Sequence, residues 1–388
     1  MRELGVDPIG IEIMAPKTVI LLVKIRKLPI FAAHILKQEA LSLGGDTAVS
    51  REAMTGKTRY TDCIVIGTLV HFKWLCEKLK RQPYTLSQVA AKLQEALTHY
   101  HREDFVVEAG SYRLNLNSHT HIMGIVNLTP DSFSADGLLR RTSEDGRGMM
   151  DVVEYARKLV EEGADILDLG GESSRPGAKP VSVKEELRRV IPVLKEIRKK
   201  NKVPISIDTY KSEVAKQALD NGADIINDIT ALSGDCAMAK VIKRYKAAVV
   251  LMHMKGNPRT MQAQPHYANV IDEVTAYLHN AITLALAAGI EFEKIMVDPG
   301  IGFGKTLAHN LCILKSLEQL KMLGRPIVIG TSRKSFIEKL TGAPVTQRLA
   351  GTIGSNCLSV LHGARIVRVH DVQEAKQALT VLDSIRGC

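Results

Sequence analysis

Residues 163–171 read GADILDLGG, and residues 222–230 read GADIINDIT. In each, a glycine able to adopt the left-handed conformation closes a helical pattern, and an apolar run follows at once. Gly363-Ala364-Arg365 opens a third such unit. A run with little polar alternation suits a strand buried on both faces, as parallel strands are. Working outward, runs of this kind occur eight times: IMGIV (122–126), DILDL (165–169), PISID (204–208), DIIND (224–228), AAVVLM (247–252), KIMVD (294–298), PIVIG (326–330) and RIVRV (365–369). Helical patterns such as GMMDVVEYARKLVEEG (148–163) and KSEVAKQALDNG (211–222) separate them. Eight strand–helix units over the last part of the chain predict a closed (β/α)8 TIM barrel, for which about 250 residues is typical. A doubly wound open sheet would show a glycine-rich turn after its first strand, and none follows IMGIV.

The first part of the chain has a different rhythm. TVILLVKI (18–25) and DCIVIGTLV (62–70) read as strands; IFAAHILKQEALSLG (30–44), HFKWLCEKLKRQ (71–82) and SQVAAKLQEALTHY (87–100) read as helices, the last begun by Thr85. The fold class is therefore α/β, a small N-terminal α/β domain over 1–118 followed by the barrel over 119–388. The boundary is expected in the polar stretch GSYRLNLNSHTH (110–121).

Composition removes several classes. The chain has 388 residues, a formal charge of +10 and one tryptophan. No run of 18 apolar residues predicts a membrane span. No basic segment followed by an apolar run opens the chain, so the expectation is a cytoplasmic protein without a signal peptide. The six cysteines lack CxxC spacing, which argues against a zinc framework or a disulfide scaffold. Lys and Arg are dispersed and not interleaved with aromatics, so nucleic acid is not the expected partner.

In a barrel, chemistry gathers at the C-terminal ends of the strands. There the sequence places Asn127, Glu172-Ser173-Ser174-Arg175, Asp208, Asn227-Asp228, His253, Asp298, Ser332-Arg333-Lys334 and Arg368-Val369-His370-Asp371. Single Asp or Ser residues after strands are commonly helix caps. A polar set on every unit is more than capping requires. Asp208, Asn227, Asp298 and Lys334 suit a flat heterocycle with amino and carbonyl edges, because a carboxylate accepts two parallel N–H donors. Ser174, Arg175, Arg368 and His370 suit phosphate oxygens. Asn127 offers a neutral carbonyl oxygen, acceptable to a Mg²⁺ ion that keeps its waters and rides on substrate phosphates.

The motifs MGIVNLTPDSF (123–133), DLGGESSRPGA (168–178), SIDTYK (206–211), IIND (225–228), LMHMKGNPRTMQ (251–262), DPGIGFGKT (298–306), GTSRKSF (330–336) and RVHDV (368–372) together resemble the dihydropteroate synthases. The resemblance runs from about residue 121 to the end. It implies an enzyme that joins 6-hydroxymethyl-7,8-dihydropterin diphosphate to 4-aminobenzoate with Mg²⁺, giving 7,8-dihydropteroate and diphosphate in folate biosynthesis. It implies catalytic roles for Asp208, Lys334, Arg368 and His370. Asp208, Asn227, Asp298 and Lys334 would hold the pterin, with Met252 and Phe303 packed near it. Ser174 stands where the family usually has Thr, and its hydroxyl can still donate; Arg175 would reach the diphosphate or the aminobenzoate side; Arg368, Val369 and His370 would flank the diphosphate, Ser332 would lie near the aminobenzoate carboxylate, and Asn127 would serve the metal. Asp131 and Phe133 would belong to a lid loop. Homodimers through the late helices are the family's habit.

Rival readings remain. A folate-dependent corrinoid methyltransferase-like barrel needs the pterin set but not the diphosphate set. The N-terminal unit could be a protein- or nucleic-acid-binding module. His119-Thr120-His121 spells HxH but precedes the first barrel strand, so a structural or linker role at the barrel's base is expected. GFGKT (302–306) and MTGKT (54–58) lack the leading glycine of a phosphate-binding loop.

Overall fold

The structure, a computed structural model, describes residues 1–129, 147–173, 177–256 and 260–387. It divides into two units, Met1–His99 and Tyr100–Cys388.

The first unit is a three-stranded antiparallel sheet of order β1-β3-β2, with β1 Ile20–Pro29, β2 Asp46–Val49 and β3 Tyr60–Thr68. Alternation along β1 and β3 turns Leu28, Cys63 and Val65 inward against Ala33, Leu36, Phe72, Leu75 and Leu79 of helices Ile30–Ser42 and Leu69–Leu79. Thr68 starts the second of these by accepting a bond from the His71 amide. Strands and helices fall close to where the sequence puts them. β2, a strand of four residues, and the two-turn helix Pro8–Met14 were not legible.

The second unit is the expected barrel. Eight parallel strands close on themselves: β6 His121–Asn127, β7 Ile166–Gly170, β8 Ile205–Asp208, β9 Ile225–Asp228, β10 Ala248–Met252, β11 Ile295–Asp298, β12 Ile327–Ile329 and β13 Ala364–Val369, with β13 paired back onto β6. Gly163, Gly222 and Gly363 all have positive φ (106°, 95° and 100°), so the helix-stop reading holds at each of them. Outward-facing Val126, Leu167, Ile207, Ile226, Val249 and Val297 meet the helices in one aliphatic core.

The domain boundary is not where it was expected. A hairpin of β4 Val106–Ala109 and β5 Tyr112–Asn115 precedes the barrel. Its Val107, Ala109 and Leu114, with Phe105 and Leu116, pack onto Met123, Ile166, Ile225, Val250, Met296 and Ile366 at the base of the barrel interior. Residue 118 thus falls inside the second unit. The hairpin escaped because each strand has four residues, and Glu108, Arg113 and Asn115 alternate with the apolar positions. Among the described residues no helix is long and apolar enough to cross a membrane.

Candidate active site

Register places the polar ends of neighbouring strands at one level. Asn127 pairs with Gly170, Gly170 with Asp208, and Asp208 with Asn227; farther round, Met252 pairs with Asp298. Gly170 keeps this part of the mouth open: a Cβ there would stand 3.6 Å from Asp208 Cβ and 3.8 Å from Asn127 Oδ1.

Below that level lies a carboxylate–guanidinium core. Arg368 donates from Nε to Asp168 Oδ2 (2.6 Å) and from Nη2 to Asp208 Oδ2 (2.8 Å). Asn227 Nδ2 donates to the same Asp168 oxygen at 3.3 Å. Asp168 Oδ1 is buried without a partner, as is Ser206 Oγ on the adjacent strand. Burial pushes the Asp208 carboxyl up to about 7, against the neighbouring Arg368 and with help from the Asp168 charge. Burial would lower the Arg368 guanidinium, but its carboxylate neighbours outweigh that and raise it. Removing one partner of such a buried pair costs about 3–5 kcal/mol, because the other charge is left alone.

A second cluster forms the wall beside it. Asp298 is 6% exposed, and burial raises its carboxyl. Its Oδ1 accepts the Gly300 amide at 2.7 Å. Gly300 has φ +68°, and a Cβ there would lie 2.0 Å from the His253 carbonyl oxygen, so only glycine fits this turn. Lys305 is 2% exposed and closes the same turn, donating to Gly300 O (2.9 Å), Phe303 O (3.0 Å) and His253 Nδ1 (2.8 Å). Burial brings its ammonium down to about 7 and the His253 imidazole to about 2, so His253 is a neutral acceptor. The turn presents Phe303, which packs with Met252, Ile229, Met254 and Met261 in an apolar patch. Lys334 Nζ sits 4.2 Å above the Phe303 ring, a cation–π contact.

The third group is smaller. His370 Nδ1 lies 3.0 Å from Ser332 Oγ, and its Nε2 lies 3.5 Å from Asn127 Nδ2. Ser332 Oγ also accepts the His370 amide at 3.2 Å. The end of β13, the loop after β12 and the end of β6 are joined there.

Asn127, Asp208, Asn227, Met252, Asp298, Phe303, Ser332, Lys334, Arg368 and His370 all stand at the C-terminal mouth of the barrel. Val369 does not bring its side chain: strand alternation turns it into the core between sheet and helices. Asp228, one residue past Asn227, is turned away and caps its own loop through Thr230 and Leu232. Ser174, Arg175, Asp131 and Phe133 lie outside the described residues. Lys211 bridges Glu172 and Glu186, both at 2.5 Å, and donates to Val181 O at 2.9 Å. Asp168, Lys305 and Lys211 were given no role from the sequence. A carboxylate at the centre of the apolar run DILDL was the available signal for the first.

The mouth thus sets buried carboxylates beside an apolar patch and a histidine–asparagine–serine corner. The family description "pterin binding enzyme" matches residues 123–370. A dihydropteroate synthase of Synechocystis sp. is 43% identical over 267 residues, 69% of this chain and 90% of that protein. A Halobacterium salinarum protein named probable bifunctional folylpolyglutamate synthase/dihydropteroate synthase is 40% identical over 394 aligned residues, taking in all of this chain and 45% of that one. A structure of the Xanthomonas albilineans dihydropteroate synthase with 4-aminobenzoic acid superposes with a TM-score of 0.67 at 40% identity, over 74% of this chain and 99% of that one. The ring of strand-end residues and these likenesses agree: the chain belongs to the dihydropteroate synthase family of pterin-binding enzymes.

Proposed function

We propose that the chain condenses 6-hydroxymethyl-7,8-dihydropterin diphosphate with 4-aminobenzoate, releasing diphosphate and 7,8-dihydropteroate. The observation that carries this most directly is that Asp208, Asn227, Asp298 and Lys334 stand at one barrel mouth, with His370, Ser332 and Asn127 at the same end.

The roles follow from the donors and acceptors present. Asp298 and Asn227 read the amino and ring-nitrogen edge of the pterin, and Phe303 and Met252 pack on its face. Lys334 supplies a cationic donor to the ring's acceptors. Arg368 stands between the two halves: Nε and Nη2 are committed to Asp168 and Asp208, so it sets the charge of the pterin floor as well as facing the leaving group. The aminobenzoate nitrogen attacks the exocyclic methylene carbon, the carbon–oxygen bond to diphosphate breaks, and the amine proton leaves to solvent. Positive charge that develops on the pterin meets Asp208 in its ionised form. His370 donates to the departing diphosphate, and Ser332 holds both His370 and the aminobenzoate side. On the family's pattern Ser174 would donate its hydroxyl to substrate, Arg175 would serve the diphosphate or the aminobenzoate side, and Asp131 and Phe133 would belong to a lid loop.

A magnesium ion fits the donor set. Asn127 is a single neutral amide whose Nδ2 points at His370, which leaves Oδ1 for a cation that is held chiefly by water and substrate oxygens. When bound, it would neutralise the diphosphate as it leaves. We further propose a cytoplasmic, homodimeric enzyme, and assign no activity to the N-terminal unit. The corrinoid methyltransferase reading has nothing in the mouth that favours it. The assay is incubation with pterin diphosphate, 4-aminobenzoate and Mg²⁺: stoichiometric diphosphate and dihydropteroate are expected, and their absence from folded protein would refute the reading.

A further inference from the structure

Gly302-Phe303-Gly304 is a stretch that composition alone would leave loose. Both glycines have positive φ (84° and 63°), and neither has a side chain with which to anchor the aromatic ring between them. The structure ties this tripeptide down from outside. Near the start of the helix Leu307–Lys315, Asn310 Oδ1 accepts the Gly302 amide at 2.8 Å, while its Nδ2 donates to Thr306 O at 2.8 Å. Gln262 Nε2 donates to Gly302 O at 2.5 Å, and Tyr267 Oη donates to Gly304 O at 2.8 Å. With Lys305 on Phe303 O, every carbonyl from 302 to 304 accepts a side-chain donor.

Gln262 and Tyr267 belong to the chain between β10 and the helix Val270–Ala287, so these two donors come from the neighbouring barrel unit and not from the turn itself. Tyr267 is braced in its turn. It is 7% exposed, the Lys255 ammonium lies 4.0 Å from its ring centroid, and the His309 ring meets it edge-on at 4.8 Å. Burial raises its hydroxyl, which therefore remains a donor through the neutral range. The same segment brings Met254 and Met261 against Phe303. A Cβ on Gly304 would stand 2.4 Å from the Lys255 carbonyl oxygen, so the two backbones touch there. Gln262 is exposed, and a bond made in competition with water adds little to global stability. Its effect is local, on the carbonyl that it holds.

We propose that Tyr267 and Gln262 are positioning residues for the pterin half of the mouth: they fix the backbone on either side of Phe303, and so the ring on which the pterin packs and above which Lys334 sits. Neither touches substrate. The proposal rests on the pterin reading of the mouth, while the clamp itself is a property of the free protein.

The test uses the whole chain and the substitutions Y267F, which removes the donor and keeps the ring, and Q262M, which removes an exposed donor and leaves folding intact. Amide hydrogen exchange, read without ligand, should quicken at least fivefold in the peptide spanning 300–306 and stay at the wild-type rate in β11. Titration should show both variants losing about five- to tenfold in affinity for 6-hydroxymethylpterin and for its diphosphate alike, so that the ratio of the two affinities is unchanged. In an F303L background neither substitution should cost more than about twofold, because residues that act through one side chain are not additive. Unchanged exchange in both variants would overturn the clamp. Quickened exchange with wild-type pterin affinity, or a full loss persisting in F303L, would overturn the positioning role. Quickened exchange in a protein whose wild type binds no pterin would refute the functional reading and leave the clamp standing.

Discussion

Replacing Asp168 with Asn should shift the acid limb of the pH–rate profile downward. Asp208 is held up at about 7 by burial, with the Asp168 charge adding to the shift. Two carboxylates sharing one guanidinium stand about 5 Å apart, and at an effective dielectric of about 20 a charge there is worth roughly 3 kcal/mol, or about two pKa units. Relaxation and the intervening Arg368 reduce this to about one or two units. The substitution is close to isosteric: an amide oxygen can still accept from Arg368 Nε and Asn227 Nδ2, and the new NH₂ takes the place of an oxygen that accepts no hydrogen bond. An ionised Asp208 is the competent form, so wild-type kcat/KM for the pterin substrate should fall as pH drops through about 7. In D168N, normalised to its own plateau, the fall should begin about one to two pH units lower. The stability sign is opposite to that of an ordinary paired carboxylate. A raised native pKa means that the folded state holds the proton more tightly, so this group's contribution declines as pH rises from about 4 to about 7, and D168N should flatten that decline. An acid limb that stays in place or moves upward in folded D168N would refute the coupling.

Three further outcomes follow from the same geometry. Gly300→Ala, with its Cβ driven against the His253 carbonyl, should displace the Asp298 turn and cut kcat/KM at least a hundredfold, or lower stability by about 3 kcal/mol or more; steady-state kinetics and urea melts check it. Lys305 is depressed to about 7, so the unfolded chain binds more protons between about pH 7 and 10 and wild-type stability should gain with pH in that window; urea midpoints at pH 7 and 9 should show the gain, and Lys305→Met should abolish it. Asn127→Ala should raise the Mg²⁺ concentration needed for half-maximal rate about tenfold while leaving equilibrium binding of a diphosphate-free pterin unchanged, which titration at fixed substrate checks.

Much of this was legible because the barrel writes its topology in one dimension. Eight apolar runs and three Gly-Ala pairs fixed the strands to within one or two residues. The polar residues that interrupt the pattern at strand ends became the mouth. What escaped did so for physical reasons. Asp168 sits inside its strand, one pleat below the mouth, where only the alternation of β7 tells that it faces the barrel interior with Gly170. Lys305 belongs to a turn weighed only against the phosphate-loop pattern, which it fails, while its ammonium points at carbonyls and a neutral imidazole. The hairpin before β6 is too short for its alternation to stand out. Val369 was counted with Arg368 and His370 on motif grounds, although a strand turns every second side chain away.

The mouth has two chemically distinct halves, and binding of truncated ligands separates them. Isothermal titration should give Asp298→Asn a loss of affinity for both 6-hydroxymethylpterin and its diphosphate. His370→Ala should lose at least tenfold for the diphosphate and nothing for the bare pterin. If His370→Ala weakened both ligands equally, or Asp298→Asn neither, the two-part site would be wrong.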